Sequence, residues 1–329
     1  MSQINELSPR NDSAELVSVV IPAYNVARFI KEALDSVFAQ TYRHYEVIVV
    51  NDGSPDTPEF EKVLLPYIDR ITYIKQENRG IGGARDTGLR AAKGSLVAFL
   101  DADDMWLPDY LAEQAKFLHD HPEFDLVYSN ARIFGESVHA GKEYMDVCPS
   151  EGEATAAAII SRRCHVFTSV MARTDILKDV GFDESLRSCE DFDCWLRFTA
   201  RGHRIGYHRK VLVLYRKHNT GLTANPTQMA EYSIRVLTKS LSLWPADSEE
   251  GRLLREAKAD KIAGLETIRG KIALRNQDFP VAIAHLKVAN GHYRSAKMYA
   301  VIALLKVAPR IVATTYRLRG ELFLAHRGI

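Results

Sequence analysis

The stretch SLVAFLDADD, residues 95–104, runs a short hydrophobic segment straight into three carboxylates within four positions. Ser95–Leu100 is too short for a helix of ordinary length and reads as a buried strand. Asp101, Asp103 and Asp104 then fall in the loop at its carboxyl end. In extended backbone, positions i and i+2 point the same way, so Asp101 and Asp103 can share a face. Carboxylates this close repel one another unless a cation joins them. Hard divalent ions such as Mg²⁺ and Mn²⁺ take oxygen ligands of this kind. A solvated acidic turn ahead of a helix starting near Pro108 accounts for the same residues without a metal.

Working outward, the first 130 residues alternate strand and helix patterns. LVSVVIP (Leu16–Pro22), YEVIVV (Tyr45–Val50), Ile71–Lys75 and Asp125–Tyr128 read as further strands. Val26–Ala39, Gly82–Ala92 and Pro108–His119 read as helices. Such alternation predicts crossover units, a largely parallel sheet and an α/β fold. Ligands of such sheets bind at the carboxyl ends of the strands. Four polar clusters fall there: Pro22-Ala23-Tyr24-Asn25, Asn51-Asp52-Gly53-Ser54, Glu77–Arg85 and Asp101–Asp104. A single DG turn is ordinary turn chemistry, whereas four clusters meeting at one edge form a candidate site. Neither GxGxxG nor GxxxxGK[ST] is present, which argues against a dinucleotide fold or a P-loop.

The pattern loosens after Ser129. Arg132–Glu153 reads as a connection or small hairpin, Arg173–Val180 and Asp191–Arg201 as helices, and Val211–Tyr215 as a strand. From Pro226 onward only helix patterns occur. Ile262–Arg275 and Pro280–Ala289 form one hairpin of tetratricopeptide type, without a second copy.

With 329 residues, 46% hydrophobic and 26% charged, the chain has globular composition and length for about two domains. The net charge of +1 gives no argument for nucleic acid. From Asn225 onward, 17 Lys and Arg face 9 Asp and Glu, so the front is acidic and the back basic. No apolar run approaches the ~18 residues of a membrane span, and the polar start lacks a signal-peptide core. Cytoplasmic residence is therefore expected. Cys148, Cys164, Cys189 and Cys194 lack CxxC spacing and read as buried thiols. The expected division is a polar tail over 1–15, a catalytic domain over 16–224 and a helical region over 225–329.

Six motifs occur in order: VSVVIPAYN (Val17–Asn25), VVNDGS (Val49–Ser54), NRGIGGARDTGL (Asn78–Leu89), FLDADD (Phe99–Asp104), CEDFDCWLR (Cys189–Arg197) and YRKHN (Tyr215–Asn219). Over residues 16–222 the chain resembles the inverting glycosyltransferases of family 2, which have the GT-A nucleotide-sugar-binding fold. The resemblance implies a nucleoside-diphosphate sugar as donor, UDP-sugar being commonest, and Mn²⁺ or Mg²⁺ as cofactor. It places Pro22, Tyr24, Asn25, Asp52, Arg85 and Asp101 on the donor. It gives Asp103 and His218 to the metal and makes Asp191 the catalytic base. Glu190 and Trp195 fall on the acceptor side, although a core aromatic is an equal reading of Trp195. Asp86 stands where the family usually has Asn, and a carboxylate facing the diphosphate would disfavour it. Arg216 and Lys217 are candidates for neutralising that diphosphate. His165, His203 and His208 have no partners legible in the sequence and read as structural.

The acceptor is not encoded in any motif: carbohydrate, lipid-linked and protein acceptors all fit. A sugar-nucleotide pyrophosphorylase, the rival on a similar fold, would show a GxGxRxxPxT loop that is absent. A non-catalytic nucleotide-sugar-binding protein would be expected to lose carboxylates that are present here. Residues 291–329 carry seven Lys and Arg against one acid, interleaved with apolar residues. That composition suits a basic amphipathic segment at a membrane surface, or one packed on the catalytic domain or on a second subunit.

Overall fold

The computed structural model describes residues 15–221 and 225–315. The polar stretch 1–14, the expected boundary at 224 and the basic end at 316–329 lie outside the described residues.

Eight strands form one sheet in the order β3-β2-β1-β4-β7-β6-β8-β5. β1 (Val17–Ala23), β2 (Tyr45–Asp52), β3 (Thr72–Gln76) and β4 (Leu96–Phe99) are the strands read from the sequence, and they pair in parallel. The second half is mixed. β7 (Val170–Arg173) runs antiparallel between β4 and β6 (Leu126–Gly135). β8 (Ile205–Lys217) lies parallel to β6, and two-residue β5 (Met105–Trp106) closes the edge antiparallel to β8. β7 and β5 were not anticipated. Four or fewer residues give no measurable alternation, and both are ordered by their neighbours rather than by pattern. The segment expected as a connection or small hairpin over Arg132–Glu153 begins inside β6, which continues to Gly135 and returns through an antiparallel Arg132–Glu143 bridge.

The front helices α1 (Ile30–Phe38), α2 (Thr57–Leu64), α3 (Gly80–Ala91) and α4 (Tyr110–Asp120) cover the sheet. α1 buries Ile30, Ala33, Leu34 and Val37, the i, i+3, i+4, i+7 stripe of an amphipathic helix. It starts four residues later than its pattern, because Asn25 adopts a left-handed φ of 57° and the chain turns through Val26–Phe29 first. α3 approaches β1 closely: a Cβ on Gly88 would meet Val20 Cγ1 at 2.3 Å. Any side chain there would push helix and strand apart.

Two short helices, α5 (Tyr144–Val147) and α6 (Ala156–Ile160), precede β7, and α7 (Thr174–Val180) and α8 (Glu190–Ala200) follow it. The described part of the C-terminal region is built of helices joined by short turns: α9 (Pro226–Ser240), α10 (Glu249–Arg275), α11 (Phe279–Tyr293) and α12 (Ala296–Val307), with helical backbone resuming over 309–315. α10 is 27 residues long, about twice the expected segment, and Gly264 does not break it. Val236, Leu237 and Leu254 join the main core, so α9 and the start of α10 are packed on the sheet domain. Ala273, Leu274, Ala282, Leu286, Ile302 and Leu305 form a separate small core among the last helices.

Candidate active site

The polar ends of β1, β2 and β4, the start of α3, the start of α8 and the end of β8 converge on one cavity of about 600 Å³. Pro22, Tyr24, Asn25, Asp52, Arg85, Asp101, Asp103, Glu190, Asp191 and His218 all line it. Ten positions spread over nearly 200 residues are thus brought together. Trp195 does not line this cavity. It is buried, with its ring edge-on to Phe182 at 6.4 Å, and the core reading of that residue holds on this side of α8.

Each wall has a local reason for its shape. Gly53 has φ +62°, and a Cβ on it would lie 2.7 Å from the Asn78 nitrogen. The turn after β2 therefore folds tightly against the loop before α3. Asp52, at its base, accepts hydrogen bonds from the Arg79 backbone N–H at 2.8 Å and from Gln76 Nε2 at 2.7 Å. The Asn25 N–H donates to Ser54 Oγ at 2.6 Å, which ties the first loop to the second.

Arg85 is the buried hub. It donates to Asp101 Oδ1 at 2.7 Å and to Glu190 Oε1, with 2% of its surface exposed. Burial opposes its charge, but Asp101, Glu190 and Asp191 together hold the guanidinium above its usual value. Thr168 Oγ1 donates to the other oxygen of Asp101 at 3.2 Å. Asp101 is consequently fixed from two sides.

Asp103 points elsewhere. Its Oδ2 lies 2.9 Å from His218 Nε2, whose Nδ1 is 2.8 Å from Thr220 Oγ1. Asp104 faces away from this pair, buried and accepting from the Arg216 N–H at 2.8 Å. Desolvation, with Asp103 and Asp101 adding to it, pushes its carboxyl well above the usual range. Arg216 is tied down as well, donating to the Asp103 carbonyl at 2.8 Å and to Glu32 at 2.7 Å. It buttresses the acidic loop from the cavity wall, where Lys217 stands beside it.

Glu190 and Asp191 open α8, as the sequence pattern suggests. Cys189 before them takes a left-handed φ of 60° and starts the helix. Glu190 is 3% exposed and its carboxylate is engaged by Arg85, so it orients the end of the helix more than it meets an acceptor. Asp191 Oδ1 accepts its neighbour's N–H, from Phe192, at 2.7 Å. Burial raises both carboxyls against the pull of Arg85, bringing Glu190 to about 7 and Asp191 above its ordinary value. The helix terminus alone would have favoured ionisation; desolvation outweighs it.

Asp86 lies outside the cavity. Its Oδ2 accepts from Arg90 at 2.7 Å and its Oδ1 faces the Phe182 N–H at 3.4 Å. Its carboxylate is therefore not among the groups that face the cavity. Arg187 and Thr168 are wall residues that sequence reading missed. Arg187 donates to Asn78 at 2.6 Å from the loop before α8, a segment without a motif.

Among the described residues, no group of three or more His, Cys, Asp and Glu side chains could hold a metal by itself. Asp103 with His218 offers two donors. That suits an ion such as Mg²⁺, which commonly keeps few protein ligands and completes its shell with phosphate oxygens and water.

The family model for glycosyl transferase family 2 matches residues 18–180. An uncharacterised glycosyltransferase of Rickettsia typhi is 32% identical over 236 residues, 68% of this chain and 71% of that protein. The UDP-Glc:alpha-D-GlcNAc-diphosphoundecaprenol beta-1,3-glucosyltransferase WfaP of Escherichia coli is 31% identical over 214 residues, 64% of this chain and 81% of its own. Among solved structures, S. aureus TarS 1–349 in complex with UDP-GlcNAc aligns with a TM-score of 0.62 at 19% identity, covering 92% of this chain and 91% of that one. The mannosyltransferase PcManGT from Pyrobaculum calidifontis, in complex with GDP-Man and Mn²⁺, aligns with a TM-score of 0.61 at 22% identity, covering 95% and 90%. These likenesses establish the GT-A fold, and with the relatives' identity they make this chain a member of glycosyl transferase family 2.

Proposed function

We propose that the protein transfers a sugar from a nucleoside-diphosphate sugar, with UDP-sugar the favoured donor, to an acceptor hydroxyl with inversion at the anomeric carbon. The observation that carries this reading is the placement of Asp191 on the same cavity wall system as Asp52, Asp101 and Asp103. Asp52 and the Tyr24 loop suit the nucleoside. Asp103 and His218 would hold Mn²⁺ or Mg²⁺, which supplies charge neutralisation to the departing diphosphate when bound. Inversion needs attack from the face opposite the leaving group. Asp191 accepts the acceptor's proton as the new bond forms, Arg85 holds Glu190 and Asp101 in register, and the nucleoside diphosphate leaves with the electron pair.

A role in cell-surface polysaccharide or glycoconjugate synthesis, with a lipid-linked acceptor, is supported by the likeness to a glucosyltransferase whose acceptor is a diphosphoundecaprenol-linked sugar. No described helix is long and apolar enough to cross a membrane. The basic, partly apolar surface of the last helices supports peripheral contact with an anionic membrane instead. The division into a sheet domain over 16–224 and a helical region over 225–329 is part of the same reading.

The test is release of nucleoside diphosphate from a panel of UDP- and GDP-sugars with and without Mn²⁺, followed by NMR of the product's anomeric configuration. Release from one donor class with an inverted product is expected. A retained configuration, or no turnover with any donor and acceptor, would overturn the reading.

A further inference from the structure

A second cavity, of about 420 Å³, adjoins the first. Cys189, Asp191 and Met229 line both, so Asp191 stands at their boundary. The second cavity lies among α8, α9, α10 and the turn that follows α6. Its walls include the apolar side chains of Ile160, Val166, Phe192 and Leu253.

Among the polar groups set into these walls, Arg162, Lys261 and the Trp195 indole offer N–H donors and no acceptor. Trp195 is 3% exposed, and its Nε1 has no hydrogen-bond partner among the described residues. Neither Arg162 nor Lys261 has an ion-pair partner among them either. Asp191 stands at the boundary with the first cavity, and the two further carboxylates of the lining, Glu256 and Asp260, turn outward. Glu256 faces Arg252 at 3.6 Å and Asp260 faces His292 at 3.7 Å, each more than 60% exposed. His165 Nδ1 donates to the Pro149 carbonyl at 3.1 Å. Burial, with Arg162 and Lys261 adding to it, keeps its imidazole below the ordinary value. Two cations without an ion-pair partner among the described residues, beside an unpartnered indole N–H, leave a cradle shaped for an anion.

We propose that this cavity is the acceptor's, and that Arg162 and Lys261, assisted by Trp195, hold the phosphate or diphosphate that links the acceptor sugar to an apolar chain. The sugar hydroxyl then reaches Asp191 from the side opposite the donor, while the chain lies against Val166, Phe192 and Leu253. This rests on the glycosyl-transfer reading above and adds to it the residues that select the acceptor class. It also gives the helical region a part in the site, since Lys261 belongs to α10.

The test is calorimetry on the full chain with UDP saturating the donor side, using octyl phosphate below its micelle concentration, octyl glucoside and inorganic phosphate as probes. Octyl phosphate is expected to bind at least roughly tenfold more tightly than either of the others, because it alone joins the charge to the apolar chain. Arg162→Ala with Lys261→Ala should weaken octyl phosphate about tenfold or more and leave octyl glucoside unchanged. Lys261→Arg should retain most of the binding. The variants' UDP affinity reports that they are folded. Equal binding of octyl phosphate and octyl glucoside, an unaffected double variant, or displacement of octyl phosphate by UDP would each overturn the subsite. A chain that binds octyl phosphate but no nucleoside diphosphate would overturn the glycosyl-transfer reading and leave the anion site standing.

Discussion

His218 Nε2 lies 2.9 Å from Asp103 Oδ2 across 115 residues of chain. The contact joins the loop after β4 to the end of β8 and supplies one nitrogen and one carboxylate donor. Mn²⁺ should therefore tighten nucleoside-diphosphate binding, and Asp103→Ala should abolish that tightening while leaving metal-free affinity intact. His218→Ala should cost roughly tenfold, as loss of a group supporting a metal does. Calorimetry with UDP and GDP, with and without Mn²⁺, measures both. Full activity in EDTA would sink the assignment.

Asp191 is assigned the proton. Asp191→Asn is nearly isosteric and should keep fold and donor affinity, yet reduce turnover on the order of 10²-fold or more. Glu190→Gln should cost less, because its carboxylate binds Arg85 and not the acceptor. Steady-state rates with donor affinities decide this. Normal turnover in Asp191→Asn beside an inactive Glu190→Gln would exchange the two roles.

How far the sequence revealed this arrangement differs by element. β1, β2 and β4 were legible because continuous apolar runs end in polar clusters, and those clusters line the candidate site. β7 was hidden, since VMAR offers four residues and no alternation. The antiparallel half of the sheet was lost with it. Asp101 and Asp103 were legible as a pair, but their divergence was not. Arg85 claims Asp101 and His218 claims Asp103, and both partners are distant in sequence. Arg162 and Lys261 carried no signal at all, because 99 positions of unrelated pattern separate two residues that meet only when α10 packs beside α6.

Turnover should fall as pH drops through about 7, where the buried Glu190 carboxyl takes up a proton, and Asp191, raised above its ordinary value by burial, adds to the fall as it protonates. Glu190→Gln removes a neighbouring negative charge and should move that acid limb to lower pH. Arg85→Met removes the cation that favours ionisation and should move it higher. Folding shows the opposite slope. Between 4.5 and about 7 the folded Glu190 keeps a proton that the unfolded chain releases, so its contribution to stability declines as pH rises through this window. Glu190→Gln should flatten that decline. pH–rate profiles and denaturation midpoints give the two readouts, and an acid limb identical in all three proteins would exclude this pair as the base.

Arg85→Met should also destabilise the fold by about 3–5 kcal/mol near neutral pH, because it strands Glu190 and Asp101 without their shared partner. Below pH 7 the deficit should shrink as Glu190 protonates and ceases to be a buried charge. Chemical denaturation at two pH values checks this. A pH-independent deficit would mean that packing, and not charge, makes Arg85 necessary.

α12 makes a prediction about location. α12 buries Ile302 and Leu305 on one side and leaves Tyr299, Leu304 and Val307 exposed, Val307 by 80%. Tyr299, Ala303 and Val307 follow at i, i+4 and i+8, and Ala300 and Leu304 lie beside them, so the outward surface is an apolar stripe. Lys297 and Lys306 stand at its two margins, both exposed. An apolar face edged by lysines suits the headgroup region of an anionic bilayer, where each cation adds about 1 kcal/mol. The protein should float with anionic vesicles at low salt, bind neutral vesicles weakly, and release as salt screens the attraction. Leu304→Glu with Val307→Glu should abolish flotation and leave donor hydrolysis unchanged, since neither residue lines the catalytic cavity. Flotation equal in parent and variant, or a parent that never binds, would rule the membrane out and turn attention to a second copy of the chain as what covers this stripe.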